Sequence, residues 1–144
     1  AINLGASYSN RSNIMVFSAH CEILKLSKVD LFEQLKTFPV VFGRQLPYYY
    51  GKRLRPNYLW SHFSEEPVTN MYSDLESRPF FHNAFSFFTK EIVTRFPFNE
   101  HLVGKEDRYW AQALLDENIS YLYSPLHICK HHFTSNGNTW KGIG

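Results

Sequence analysis

Cysteine is scarce in this chain, and its two cysteines lie far apart. Cys21 and Cys129 show no CxxC spacing, so the sequence predicts neither a disulfide framework nor a cysteine-based zinc site. Free thiols fit a reducing compartment best, which favours the cytoplasm. The ligand spacing HExxH is absent as well, and this weighs against a metal-dependent hydrolase.

Long apolar runs and an excess of charge of one sign are also absent. No apolar run approaches the roughly 20 residues that cross a bilayer, and no basic-then-apolar signal opens the sequence. Fifteen Lys and Arg residues against thirteen Asp and Glu residues give a net charge of +2, which selects neither nucleic acid nor an anionic membrane. We expect no transmembrane segment, no nucleic-acid partner, and a location in the cytoplasm or at the inner face of the membrane.

Aromatic residues, in contrast, make up 17% of the 144 residues. They concentrate in residues 47–58 and 80–88, a clustering typical of a packed core beside a binding cleft. A chain of this length has room for one domain with its own core. We therefore expect residues 1–144 to form a single domain.

The periodicity of apolar residues predicts an α/β protein with a mixed, mostly parallel sheet flanked by helices. Helices are predicted at residues 2–8, from Ser27 or Asp30 to Pro39, at 89–95 and at 105–118. Strands are predicted at residues 14–17, 40–42, 81–87, 119–123 and 126–130, with a long loop over 48–78. The residues predicted to face the core are Val29, Phe32 and Leu35 in the second helix, and Tyr109 or Trp110, Ala113 and Leu114 in the last.

The last predicted helix opens with an acidic pair, Glu106 and Asp107, which the helix dipole favours. The strands that follow it lead to His131 and His132. A carboxylate at a helix start, near imidazoles at a strand end, is one way to place a general base beside a metal or a phosphate. The alternative interpretation is that the acidic pair only complements the helix dipole.

Several short groups of residues stand in order along nearly the whole chain. They are Asn3-Leu4-Gly5, Val16-Phe17-Ser18-Ala19-His20, Gly43-Arg44-Gln45-Leu46-Pro47, Phe96-Pro97-Phe98-Asn99-Glu100 with Gly104-Lys105-Glu106-Asp107-Arg108-Tyr109-Trp110-Ala111, and Tyr123-Ser124-Pro125 with His131. Read together, these groups resemble family 2 glycosyltransferases of the GT-A fold, particularly bacterial rhamnosyltransferase-like members.

The resemblance implies inverting transfer of a sugar from a nucleotide-sugar donor to a saccharide or lipid-linked acceptor, as in surface polysaccharide synthesis. It also implies a divalent metal, Mn²⁺ or Mg²⁺. The family has its nucleotide-binding half before the segment that matches Asn3, so this chain is expected to be the C-terminal, metal-side and acceptor-side part. We therefore expect weak or no activity of the chain alone, and either a homo-oligomer or a partner that supplies the other half.

The resemblance also implies roles for individual residues. Asp107 matches the general base that takes the proton of the acceptor hydroxyl, and Glu106 is expected to be an orienting or donor-side group. His20 stands where the family has the last acid of a DxD motif, and His131 matches a histidine that approaches the metal or the diphosphate, so both are metal-ligand candidates. Donor or acceptor contacts are expected from Arg44, Gln45, Asn83 and Trp110.

Two other functions stay open at this point. One is a non-catalytic carbohydrate-binding or nucleotide-sugar-binding remnant that self-associates and uses aromatic rings such as Trp60 against sugar faces. The other is a metal-dependent hydrolase that uses His20, Asp107, His131 and His132. The transferase interpretation requires His20, Asp107 and His131 to converge on one cleft at the ends of the strands, where open α/β sheets bind ligands.

Overall fold

A computed structural model describes residues 1–56, 58–102 and 104–133. A short 3₁₀ helix spans Tyr58–His62. The remaining elements, in chain order, are α1 (Ile2–Tyr8), β1 (Asn13–Phe17), β2 (Cys21–Lys25), α2 (Lys28–Thr37), β3 (Val40–Tyr49), β4 (Lys52–Arg53), β5 (Val68–Thr69), β6 (Tyr72–Ser73), β7 (Arg78–Pro79), β8 (Phe85–Thr89), α3 (Lys90–Arg95), α4 (Glu106–Asp116) and β9 (Leu122–Phe133).

A seven-stranded mixed sheet organises the described residues. Its main path runs β1-β8-β3-β9-β2, β4 pairs with β3, β5 pairs with β9, and β6 with β7 forms a separate two-stranded sheet. Only β3 and β9 run parallel among the described pairs; the others are antiparallel. The α/β class is confirmed, whereas the predicted mostly parallel arrangement is wrong. Strand β2, which the sequence did not predict, lies between β1 and α2 in chain order.

The four predicted helices are confirmed, and two of them begin at the residues that their sequences indicate. The Ser27 side chain accepts a hydrogen bond from the Asp30 N–H (3.4 Å) at the start of α2. The Thr89 hydroxyl accepts one from the Ile92 N–H (3.4 Å) at the start of α3. These contacts satisfy backbone donors that a helix N-terminus leaves without a partner.

A bulge explains why β9 is one strand where two were predicted. The register of β9 against β3 passes from Ser124 opposite Gly43 to Ile128 opposite Arg44. Pro125 falls in this gap, where its missing N–H interrupts no hydrogen-bonded pair. From α2, the Gln34 side chain donates to Ser124 Oγ (2.9 Å) and lies 3.0 Å from His127 Nε2. The predicted break is therefore a bulge held by a neighbouring helix.

Two apolar clusters lie on opposite faces of the sheet. Val40 and Phe42 of β3 belong to the larger one, which α3 and α4 cover, while Val41 belongs to the smaller one, which α2 covers. Alternate residues of a strand point to opposite faces, so β3 contributes to both clusters. The sheet is thus a central layer between helices.

The buried faces of two helices differ in part from the prediction. In α2, Leu31 and Leu35 are buried, whereas Val29 and Phe32 are 76% and 52% exposed. In α4, the buried apolar residues are Trp110, Ala111 and Leu114, while Tyr109 and Ala113 are exposed. Leu35, Trp110 and Leu114 are therefore buried as predicted, whereas the predictions for Val29, Phe32 and Ala113 are wrong.

In the ranges that the structure describes, no helix combines the length and the hydropathy that a bilayer crossing demands.

At Gly43, β3 closely approaches β8 and β9. A Cβ atom added at this position would lie 2.5 Å from the Phe85 ring and 2.8 Å from the carbonyl oxygen of His127. This carbonyl belongs to the β9 bulge, so it cannot move away from Gly43 without disturbing the parallel pairing of β3 with β9. The absence of a side chain at Gly43 is therefore a packing requirement.

We expect Gly43→Ala to lower the free energy of unfolding by roughly 1–3 kcal/mol, the usual cost of overpacking a core. Gly5→Ala is the matched control, because nothing lies within 4 Å of the added methyl group in α1. Alanine in a helix interior stabilises by roughly 0.5–1 kcal/mol relative to glycine. Urea unfolding followed by circular dichroism measures both changes, and a Gly43→Ala protein as stable as the parent contradicts the packing argument.

Candidate functional site

His20 and His131 meet at the antiparallel pair formed by β2 and β9. His20 immediately precedes β2, and its carbonyl accepts a hydrogen bond from the His132 N–H (2.9 Å). The Nε2 atoms of His20 and His131 are 2.8 Å apart, although 111 positions separate the residues in sequence. His131 is buried and His20 is exposed. The two predicted metal ligands are therefore in contact, and the pair faces solvent on the side of His20.

Gln45 fixes the imidazole of His131 from behind. The Gln45 Oε1 atom lies 2.7 Å from His131 Nδ1, and both side chains are 1% exposed. With the amide oxygen facing the ring, Nδ1 of His131 is the donor of this hydrogen bond. The Nε2 atom of His131 faces His20 at 2.8 Å. The sequence predicted a donor or acceptor contact for Gln45, whereas the structure shows a buried side chain that orients His131.

Cys21 adds a thiol to the histidine pair. It lies opposite His131 in the β2–β9 register, and its Sγ atom and ring nitrogens of His20 and His131 all lie within 4.8 Å of one another. Hydrogen bonding to Cys129 and to His131 lowers the pKa of Cys21 to about 5, while hydrogen bonding to Cys21 and burial raise the pKa of Cys129. We call His20, Cys21 and His131 the histidine–cysteine cluster. Its thiol was missed because cysteine spacing along the sequence says nothing about a cross-strand neighbour.

His82 and Trp60 form the wall behind His131. The ring centroid of His131 lies 5.0 Å from that of Trp60 and 5.6 Å from that of His82, both edge to face. Burial, followed by the nearby Arg108 charge, holds the pKa of His82 well below its usual value. His82 is therefore a neutral imidazole. The sequence offered no signal for it beyond its place beside Asn83.

Asp107 lies next to this wall, in the first turn of α4. The backbone N–H of Asn83, which follows His82, lies near the Asp107 carboxylate, and the Arg108 N–H donates to Asp107 Oδ1 (2.9 Å). Asp107 is 7% exposed, and burial raises its pKa while the Arg108 charge opposes that rise. Asp107 thus adjoins the histidines through His82 and Asn83, without a direct contact to His20 or His131 among the described interactions.

Arg108 is the buried cation that holds this region together, although no pattern in the sequence indicated a role for it. Its guanidinium lies 2.8 Å from Asp107 Oδ2 and 3.3 Å from Glu76 Oε2. It also donates to the Phe81 carbonyl and lies over the Phe80 ring, 4.5 Å from the centroid. Arg108 therefore connects α4 to the turn between β6 and β7 and to the segment that carries His82 and Asn83.

The other predicted site residues lie in different surroundings. Arg44 pairs with Glu65 (2.5 Å), and Glu106 is half-buried.

Trp110 is 4% exposed, stacks on Phe98 with ring centroids 4.3 Å apart, and donates its indole N–H to the Phe96 carbonyl. That environment makes Trp110 a core residue with no ring face open to a sugar. Asn83 is half-buried beside Asp107, and its backbone N–H is the group that reaches it.

The donor atoms of the cluster do not suit the metal that the resemblance implies. Mg²⁺ demands oxygen ligands, and Mn²⁺ also prefers carboxylate and carbonyl oxygens. The histidine–cysteine cluster offers two imidazole nitrogens and one sulfur, and it is the one group of three candidate ligand residues found in the described ranges. The residues present therefore do not fit Mg²⁺ or Mn²⁺.

We expect Arg108→Met to lower the free energy of unfolding by roughly 3–5 kcal/mol, because it leaves the carboxylates of Asp107 and Glu76 buried without their cation. Arg95→Met is the matched control, since Arg95 is exposed at the end of α3 and surface changes usually stay within about 0.5 kcal/mol. Chemical denaturation of both variants measures the difference. Equal stability of the two variants means that the buried pairing contributes nothing.

Comparison with known proteins adds no assignment to this geometry. No family model matches the chain, and a search of curated proteins found no significant match.

Proposed function

We propose that the chain is the acceptor-side part of an inverting GT-A-type glycosyltransferase that uses a nucleotide-sugar donor and a saccharide or lipid-linked acceptor. The observation that carries the proposal is the position of Asp107. Its carboxylate sits in the first turn of α4, joined through the Asn83 N–H and His82 to the His131–His20 contact. These contacts connect one carboxylate to several imidazoles, which supports the proposal.

Asp107 acts in this proposal as the general base. Burial raises its pKa, so the carboxylate accepts a proton more readily than an exposed aspartate does. The Arg108 guanidinium opposes that rise and orients the carboxylate. The base thus combines basicity from burial with an orientation set by its ion pair with Arg108.

His82 and His131 supply polar side chains near the base. His82 is neutral, and Gln45 holds His131 in one orientation. Imidazole N–H groups donate hydrogen bonds without adding a positive charge, which suits recognition of hydroxyl and phosphate oxygens. In the proposal these side chains orient the substrates, while the proton goes to Asp107.

The edges of the sheet offer a place for the nucleotide-binding half that the proposal requires. The main path of the described sheet ends at β1 on one side and at β2 on the other. An edge strand presents backbone groups that pair readily with another chain. A second copy or a separate half of the enzyme is therefore a proposed partner, which binds through one of these strands.

We expect Asp107→Asn to lower sugar transfer by roughly 10²- to 10⁴-fold, the usual contribution of a general base. The assay measures release of nucleoside diphosphate from a panel of nucleotide-sugars with saccharide acceptors, using the protein that contains this chain. Asp116→Asn, at the exposed end of the same helix, is the matched control and is expected to retain full activity. In the parent protein, activity falls at low pH as Asp107 becomes protonated, with a midpoint above the usual pKa of 3.8.

The same assay separates the proposal from its competitors. Donor turnover that Asp107→Asn leaves unchanged rules out the base role. Saccharide or nucleotide-sugar binding without turnover, and equal in the Asp107→Asn protein, supports a non-catalytic binding protein instead. Hydrolysis of a simple phosphodiester that His131→Ala abolishes supports the hydrolase alternative.

A further inference from the structure

We propose that His20, Cys21 and His131 bind a thiophilic divalent metal of the zinc class, and that Mg²⁺ and Mn²⁺ are excluded. This proposal is independent of the transferase proposal, because it concerns which ion the cluster takes and not which reaction the protein performs. It rests on the identity, the spacing and the support of the three donor groups.

The donor set itself distinguishes between metals. Two imidazole nitrogens and one thiolate sulfur match the ligands of Zn²⁺, and sulfur is a ligand that Mg²⁺ does not take. Affinity for nitrogen and sulfur donors rises from Mn²⁺ to Cu²⁺ along the first transition series, and it is higher for Zn²⁺ than for Mn²⁺. The nearest carboxylate in sequence, Glu22, pairs instead with Lys130 (3.0 Å) on the exposed side of β2.

The spacing of the donor atoms fits a single ion. Zn²⁺ binds histidine nitrogen at about 2.0–2.1 Å and cysteine sulfur at about 2.3 Å in tetrahedral geometry, so its ligand atoms lie roughly 3.3–3.8 Å apart. The three candidate atoms lie within 4.8 Å of one another, and the His20 and His131 Nε2 atoms are 2.8 Å apart. A small outward rotation of the exposed His20 ring accommodates the ion.

Neighbouring residues orient the ligand side chains of the cluster, as they do in protein metal sites. Gln45 Oε1 lies 2.7 Å from His131 Nδ1, and this contact orients the ring so that its Nε2 atom faces His20. Metal-binding histidines commonly make such a bond with their second nitrogen. The β2–β9 register fixes Cys21 opposite His131, and the His132 N–H holds the carbonyl of His20. Three protein ligands leave a fourth position open toward solvent, which suits a water molecule or a small ligand.

The direct test is metal binding to the purified, metal-free chain in a phosphine reductant. We expect Zn²⁺ to bind with a stoichiometry of about one in calorimetry, and Co²⁺ to produce a thiolate-to-metal charge-transfer band that Zn²⁺ abolishes by displacement. Cys21→Ser should remove the band, and His20→Ala should weaken Zn²⁺ binding by about 100-fold because a three-ligand site loses one ligand. Gln45→Leu should weaken binding by roughly 10- to 100-fold, as second-nitrogen partners usually do.

His132→Asn is the matched control, because it removes a neighbouring donor group that lies outside the cluster. This variant should retain Zn²⁺ affinity and the Co²⁺ band. His20 is exposed, so His20→Ala tests the site even if Cys21→Ser fails to fold. The proposal is overturned if Zn²⁺ does not bind, if the Co²⁺ complex lacks the thiolate band, if His20→Ala binds Zn²⁺ as tightly as the parent, or if Mn²⁺ binds as tightly as Zn²⁺.

Discussion

The parallel pairing of β3 with β9 is the constraint on which the rest of the structure depends. It aligns Gln45 with Cys129 and Pro47 with His131, and this alignment brings the Gln45 amide to the Nδ1 atom of His131. Because β2 pairs with the other edge of β9, the same strand also determines where Cys21 and His20 lie. The absence of a side chain at Gly43 lets the bulged β9 approach closely, so one packing requirement connects the core to the histidine–cysteine cluster.

A second constraint is the buried charge of Arg108. Its guanidinium is satisfied by two carboxylates and a backbone carbonyl, as a buried cation requires. The carbonyl belongs to Phe81, so Arg108 also holds the following segment, which carries His82 and Asn83, in position. Arg108 therefore has two roles: it stabilises the fold, and it orients the carboxylate of Asp107.

Local sequence signals predicted the helices well and the contacts between distant strands poorly. Ser27 and Thr89 are residues that favour helix starts, and they do begin α2 and α3. Strand β2 was missed because its residues are mostly exposed and show no apolar alternation. Its absence from the prediction also hid Cys21, whose partner His131 is 110 positions away. His20 and His131 were chosen as a pair from the resemblance, whereas Gln45 acquires its role from a register that no local pattern encodes.

The surroundings of His131 differ on its two sides. Arg108, Asp107 and Glu76 form a buried charge network on the side of His82, and the Arg108 charge helps to hold the pKa of His82 below its usual value. On the other side, His20 is exposed to solvent. Because the neutral His82 stands between the charged network and His131, the proposed metal selectivity rests on the donor atoms of the cluster, two nitrogens and one sulfur, and not on the buried charges.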